Sequence, residues 1–128
     1  MDERICRLFG IIGQEILLYR NLTQHARRKT ALFFKGKAGE IREYQKIEAG
    51  FNCRLRNLEN ELKYLTGDLG KTLGIPAEEF TLLKLADHLE QSIAREIRRR
   101  VLLFFGIVQQ LRSLNRRHVR LMKGTLAC

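Results

Sequence analysis

Residues 81–122, TLLKLADHLEQSIAREIRRRVLLFFGIVQQLRSLNRRHVRLM, decide the fold of this chain. The stretch contains no proline and a single glycine, and its apolar residues recur in steps of three and four. This spacing aligns them on one face of an α-helix. The sequence therefore predicts one long helix over 81–122. Its predicted core-facing positions are Leu82, Ala86, Leu89, Ile93, Ile97, Val101, Phe104, Val108, Leu111, Asn115, His118 and Met122.

Two of these core-facing positions are polar, since Asn115 and His118 stand where a plain helical bundle would place leucine. Polar residues at such positions can set the register of a bundle at some cost in stability. They can also mark the point where the bundle ends and a surface for an amphipathic partner helix begins. The sequence leaves both interpretations open.

The rest of the chain predicts a helical hairpin. Apolar residues in 2–34 recur in alternating steps of four and three, and 40–69 carries a nearly uninterrupted heptad. A short glycine-bearing link between them suits a tight reversal, and residues 70–80, with glycines and the only proline, form a second linker. We predict an all-α fold in one domain, 1–128: an antiparallel hairpin packed with helix 81–122 as a coiled-coil-like three-helix bundle.

Charge is concentrated in the last third of the chain. The whole sequence carries 24 Lys and Arg against 14 Asp and Glu, a net charge of +10. Residues 95–123 form a basic stripe. The stripe is a solvated face, a surface for an acidic protein or phospholipid, or a nucleic-acid surface. The last is least supported, because Phe104 and Phe105 are its only aromatic residues for stacking. The stripe contains one acidic residue, Glu96. Its basic residues are Arg95, Arg98, Arg99, Arg100, Arg112, Arg116, Arg117, Arg120 and Lys123.

The sequence offers no recognisable reaction chemistry. Its three histidines form no pair at helical spacing, and no Asp/Glu cluster with metal-ligand spacing accompanies them. Ser92, Ser113 and the cysteines lack a nearby base. We therefore expect a protein that is not an enzyme, with no cofactor, no metal and no small-molecule substrate.

The cysteines and the apolar runs bear on location. Cys6, Cys53 and Cys128 are an odd number with no close pair, which favours a reducing cytoplasm over a disulfide-bonded setting. The longest apolar run, 101–108, is far shorter than the roughly 20 residues of a membrane span. We expect a soluble, cytoplasmic protein with no membrane span.

Several segments follow one family pattern. They are Leu17-Leu18-Tyr19 through Ala31-Leu32, the Gly36 reversal, the heptads ending at Leu55-Arg56-Asn57-Leu58-Glu59, and Leu73-Gly74-Ile75-Pro76 before Thr81-Leu82. The most specific is LRSLNRRHVRLM at 111–122, with leucine and asparagine at set spacings before a pair of apolar residues. In these features the chain resembles the FlgN family of flagellar export chaperones.

The resemblance implies a small cytoplasmic chaperone. Such a protein would bind the C-terminal amphipathic helices of hook-associated proteins at the hook–filament junction, prevent their premature assembly and deliver them to the export gate. The partner-binding residues that the resemblance implies are Leu111, Leu114, Asn115, His118, Leu121 and Met122. Burial considerations add Phe104, Phe105 and Val108 as partner-binding candidates.

Two other functions remain open at the level of sequence. A basic helical protein of this kind can bind nucleic acid through the stripe 95–123. An apolar seam that the bundle leaves open can instead pair with a second copy of the chain, which would make a self-assembling structural coiled coil and a homo-oligomer.

Overall fold

In a computed structural model of the chain, the backbone is described for residues 3–127 and the side chains for residues 3–121. The described residues form four α-helices and no strand, which confirms the all-α prediction. The helices are α1 (Glu3–Lys35), α2 (Ala38–Leu73), α3 (Leu82–Ala86) and α4 (Gln91–Ala127), with a 3₁₀ turn at Ala77–Glu79 between α2 and α3.

Glycine ends both helices of the hairpin. Gly36 adopts a positive φ of 67°, its amide donates to the Phe33 carbonyl at 3.2 Å, and the Lys37 amide donates to the Leu32 carbonyl at 3.2 Å. These two bonds form a Schellman motif, which satisfies the last carbonyls of α1. Gly74, with φ of 70°, ends α2 in the same way. The helix thus continues four residues beyond the predicted end at residue 69.

The predicted helix over 81–122 is divided into α3 and α4. Thr81 caps α3, because its hydroxyl oxygen accepts a hydrogen bond from the Lys84 amide at 3.0 Å. The helix ends at Ala86, and α4 begins at Gln91, where the Glu90 carboxylate accepts a hydrogen bond from the Ser92 amide at 3.1 Å. A carboxylate at this position satisfies a free amide of the first helical turn. The break allows α3 to fold back against α4.

Helix α1 lies at the centre of the fold. It packs along α2 on one side and along α4 on another, whereas α2 and α4 have hardly any close backbone approach. Leu8 of α1, Leu65 of α2, Leu85 of α3 and Ile97 of α4 are completely buried, so all four helices contribute to one core. None of the helices in the described part of the chain is long and apolar enough to cross a membrane.

Candidate partner-binding surface on α4

The C-terminal half of α4 is attached to α1 through His118. This side chain is only 3% exposed, and its Nε2 atom lies 2.6 Å from the Thr30 hydroxyl oxygen. Its ring also packs against Phe33, with 5.4 Å between the ring centroids. The bundle therefore continues at least to His118, which packs against α1.

The surroundings of His118 keep its imidazole neutral at neutral pH. Burial lowers the pKa of His118 below its ordinary value of 6.5, and the nearby Lys29 ammonium lowers it further. Glu48 of α2 raises the pKa of His118, but it is paired with Lys29, whose Nζ lies 3.0 Å from Glu48 Oε2. A polar layer thus joins α1, α2 and α4 near the turn of the hairpin.

Asn115 occupies a different side of α4 from His118. The prediction that Asn115 faces the core is wrong, because its side chain is exposed. An α-helix drifts by about 20° per heptad relative to a strict 3.5-residue repeat. Along α4 the buried side therefore moves, and Ile107 and His118 take the buried positions in its C-terminal half. Asn115 instead lines a shallow depression near the end of the helix.

The other predicted partner-binding residues are divided between core and surface. Phe104 packs edge-to-face on Tyr19 of α1, with ring centroids 5.1 Å apart, and Leu111 also packs against the core. Phe105 is 60% exposed. The Met122 side chain lies outside the described residues. The half-buried members of the set are Val108, Leu114 and Leu121.

A second row of residues follows the exposed side of α4 in steps of three and four. Three of its members are apolar and well exposed: Leu102 (73%), Phe105 (60%) and Val119 (49%). The spacing is that of a heptad, so this row forms a continuous helical face parallel to the one packed on α1. We call it the outer seam. Its members, all exposed, are Leu102, Phe105, Gln109, Arg112, Arg116 and Val119.

Of these six residues, sequence reasoning selected only Phe105 as a partner-binding residue. The signal that would have identified the others is the regular spacing from 102 to 119, which is visible in the sequence alone. Two of the positions are arginines, Arg112 and Arg116, and their charge conceals the helical pattern in the sequence.

The arginines of the basic stripe have different partners in the two halves of α4. In the N-terminal half of α4, Arg98 pairs with Asp87 at 2.8 Å, and Arg99 and Arg100 both pair with Glu96, at 2.6 and 2.9 Å. Hydrogen bonds from these two arginines lower the pKa of Glu96 to about 2. These cations are therefore partly neutralised within the protein.

Arg100 also has a structural role. Its guanidinium donates to the Phe9 carbonyl at 2.9 Å and stacks over the Phe9 ring, with Cζ 4.8 Å from the centroid. A cation over an aromatic face is attracted by the ring quadrupole. This arginine fastens the start of α4 to α1 and is not available to a partner.

The C-terminal arginines of α4 lack such acidic partners. Arg112, Arg116 and Arg120 are exposed, and none forms an ion pair with an acid among the side chains of residues 3–121. Arg117 stacks over the exposed ring of Phe34, with Cζ 5.7 Å from the centroid. Uncompensated positive charge therefore collects on the outer seam and beside it.

A buried carboxyl lies on α1, close to Glu59 of α2. Glu15 of α1 is 4% exposed, and its Oε1 atom has no hydrogen-bond partner. Burial, together with the nearby Glu59 of α2, raises the pKa of Glu15 to about 7. One turn further along α1, burial and the nearby Glu59 raise the pKa of Tyr19, which the more weakly acting Arg112 of α4 lowers. Glu59 of α2 therefore acts on both Glu15 and Tyr19 of α1.

The side chains of residues 3–121 contain no group of three or more His, Cys, Asp or Glu placed to hold a metal ion. Comparison of the chain with family models, curated proteins and solved structures found no match. The geometry of α4 is therefore the main evidence for the function of this chain.

Proposed function

We propose that this chain is a helix-binding protein that is not an enzyme, and that its partner is an amphipathic helix docked on the outer seam of α4. The observation that supports this most directly is the exposure of Leu102, Phe105 and Val119 on one helical face. A single exposed apolar residue is ordinary on a protein surface. Three at heptad spacing form a face into which the side chains of another helix can pack.

The inner side of α4 is already occupied, which leaves the outer seam for a partner. Ile97, Ile107 and His118 are buried against the rest of the bundle along most of the described length of the helix. A partner that approached the same side would have to displace α1. Docking on the outer seam requires no such rearrangement, so the bundle can bind as a preformed surface.

The resemblance to the FlgN family supplies the biological setting of the proposal. The partners would be the C-terminal amphipathic helices of hook-associated flagellar proteins, which the chain would hold unassembled in the cytoplasm and pass to the export gate. The physical reason for such a chaperone is general. An exposed apolar helix face associates with any similar face unless another surface covers it.

The proposal is tested by titrating the purified chain with the C-terminal helical segments of hook-associated proteins from the same genome. Substituting Phe105→Asp and Val119→Asp together should weaken binding at least about tenfold, or ~1.4 kcal/mol. The matched control is Ile47→Asp with Tyr64→Asp, two exposed apolar residues of α2. The control should bind like the wild type. Absence of binding to every segment, or equal binding by both variants, would contradict the proposal.

Nucleic acid is a second candidate partner, favoured by Arg112, Arg116 and Arg120, which form no ion pair with an acid among residues 3–121. In that case affinity for a single-stranded oligonucleotide should fall steeply with salt, with a log–log slope of about −0.7 per phosphate contacted. Binding that shows this salt dependence and is lost on substitution of these arginines would support this function. The exposed apolar residues beside the arginines favour a protein partner.

A further inference from the structure

The outer seam changes character along its length. Leu102 and Phe105 make its first part apolar, Arg112 and Arg116 make its middle basic, and Val119 restores an apolar contact near the end. Phe105 and Val119 are two heptads apart, or about 21 Å at 1.5 Å per residue. A helix lying along this face would meet apolar, then cationic, then apolar side chains.

The central arginines restrict what such a helix can be. Docking removes water from Arg112 and Arg116, and a desolvated charge is costly unless an opposite charge replaces the water. The chain provides no acidic partner for them within residues 3–121, whereas Arg98, Arg99 and Arg100 of the same helix are all paired. A carboxylate from the partner can bind a guanidinium through two parallel hydrogen bonds.

We propose that the partner helix is acidic at its centre, with carboxylates that face Arg112 and Arg116 and apolar residues about two heptads apart that pack on Phe105 and Val119. This inference rests on the proposed function and specifies the chemical class of its partner. Arg120, next to the seam, supplies a further cation for an acid at the edge of the contact.

Other occupants fit the surface less well. Nucleic-acid phosphates would match the arginines, but Phe105 is the only aromatic residue of the seam, and Leu102 and Val119 would remain uncovered. A second copy of the chain would bring Arg112 and Arg116 of both molecules into one interface, where like charges repel. An acidic amphipathic helix satisfies the apolar and the cationic parts together.

The test uses three synthetic 21-residue helical peptides with identical leucine positions at both ends. They differ only in four central positions, which are all Glu, all Gln or all Lys. Binding to the full chain is measured by fluorescence anisotropy at low and moderate salt. The Glu peptide should bind about tenfold or more tightly than the Gln peptide, and this preference should shrink as salt rises, because screening weakens exposed charge pairs.

Charge reversal on the protein tests whether Arg112 and Arg116 cause the preference for the Glu peptide. The variant Arg112→Glu with Arg116→Glu should prefer the Lys peptide. The matched control, Arg42→Glu with Arg56→Glu, makes the same change in net charge on exposed positions of α2 and should still prefer the Glu peptide. An equal loss of preference in both variants would overturn the inference, since the effect would then come from overall charge.

The remaining outcomes separate the inference from the function on which it rests. Equal binding of the Glu and Gln peptides would overturn the acidic partner but leave helix binding in place. Absence of binding by all three peptides would overturn both. Tighter binding of a 20-nucleotide single strand, abolished by Arg112→Glu with Arg116→Glu, would replace the helix by nucleic acid. A mass that doubles with concentration and reverts in the variant Phe105→Asp with Val119→Asp would replace it by a second copy.

Discussion

The Nε2 atom of His118 lies 2.6 Å from the hydroxyl oxygen of Thr30, and this contact spans 88 residues of sequence. It joins the far part of α4 to the end of α1 near the hairpin turn. Because the inner side of α4 is held in this way, the orientation of its opposite face is fixed as well. The outer seam therefore faces away from α1, and the buried polar residues of the bundle provide direct tests of its packing.

Acid should weaken the attachment at His118. The folded-state pKa of this histidine is below 6.5, so the unfolded chain binds the proton more readily. The free energy of unfolding should therefore decrease as the pH falls below 6.5, until the folded-state pKa is passed. The stability advantage of the wild type over His118→Gln, measured by urea denaturation, should be smaller at pH 5 than at pH 7.5.

His88 provides the control for that measurement. Its side chain is exposed in the turn between α3 and α4. The variant His88→Gln makes the same substitution at this exposed position and is measured alongside at both pH values. A wild-type advantage over His118→Gln that is as large at pH 5 as at pH 7.5 would show that the protonation of His118 does not oppose folding.

Glu15 should have the opposite pH dependence. Its pKa rises from 4.5 to about 7 on folding, so its protonated form favours the folded state. Its contribution to the free energy of unfolding is fully present below pH 4.5 and is lost as the pH rises through 7. The variant Glu15→Gln should therefore be more stable than the wild type at pH 8, by at most roughly 3 kcal/mol, with a smaller difference at pH 5.

The matched change Glu61→Gln, at an exposed position of α2, should have little effect at either pH. Urea denaturation at both pH values measures the two variants on the same scale. If Glu15→Gln is less stable than the wild type at pH 8, the carboxylate of Glu15 must have a stabilising partner in the folded protein.

Two glycines of α2 should respond differently to alanine. A Cβ atom at Gly67 would meet open space, whereas one at Gly70 would lie 2.9 Å from Cδ2 of the Phe80 ring. Gly67→Ala should stabilise the protein by up to about 1 kcal/mol, the difference in helix propensity. Gly70→Ala should melt at a lower temperature than Gly67→Ala, because the ring must move. Equal gains in thermal stability would show that Phe80 is not held against α2.

The fold was largely predictable from apolar spacing, and its exceptions have local causes. The break between α3 and α4 preserves the helical spacing, since Ala86 is buried and Leu89 and Ile93 are half-buried on the two sides of the break. The sequence predicts the end of α2 too early, because Gly67, Gly70 and Gly74 before Pro76 indicate a helix terminus. Gly70 is instead a helical position that makes room for Phe80.

The candidate surface was less predictable than the fold. Asn115 and His118 are three residues apart, about 60° around a helix, so the direction in which α4 leans on α1 decides which of them is buried. Packing between distant segments determines that direction, and apolar spacing within one segment does not report it. The pairing of Arg98 with Asp87 depends in the same way on how α3 folds back.

Docking of a partner helix on the outer seam can be observed residue by residue through amide chemical-shift mapping of the isotope-labelled chain. On addition of the Glu peptide, the largest shift changes should follow the helical spacing of Leu102, Phe105, Arg112, Arg116 and Val119, with small changes along α2. Changes centred on α2, or on the half-buried Leu114 and Leu121 without the outer seam, would contradict the account.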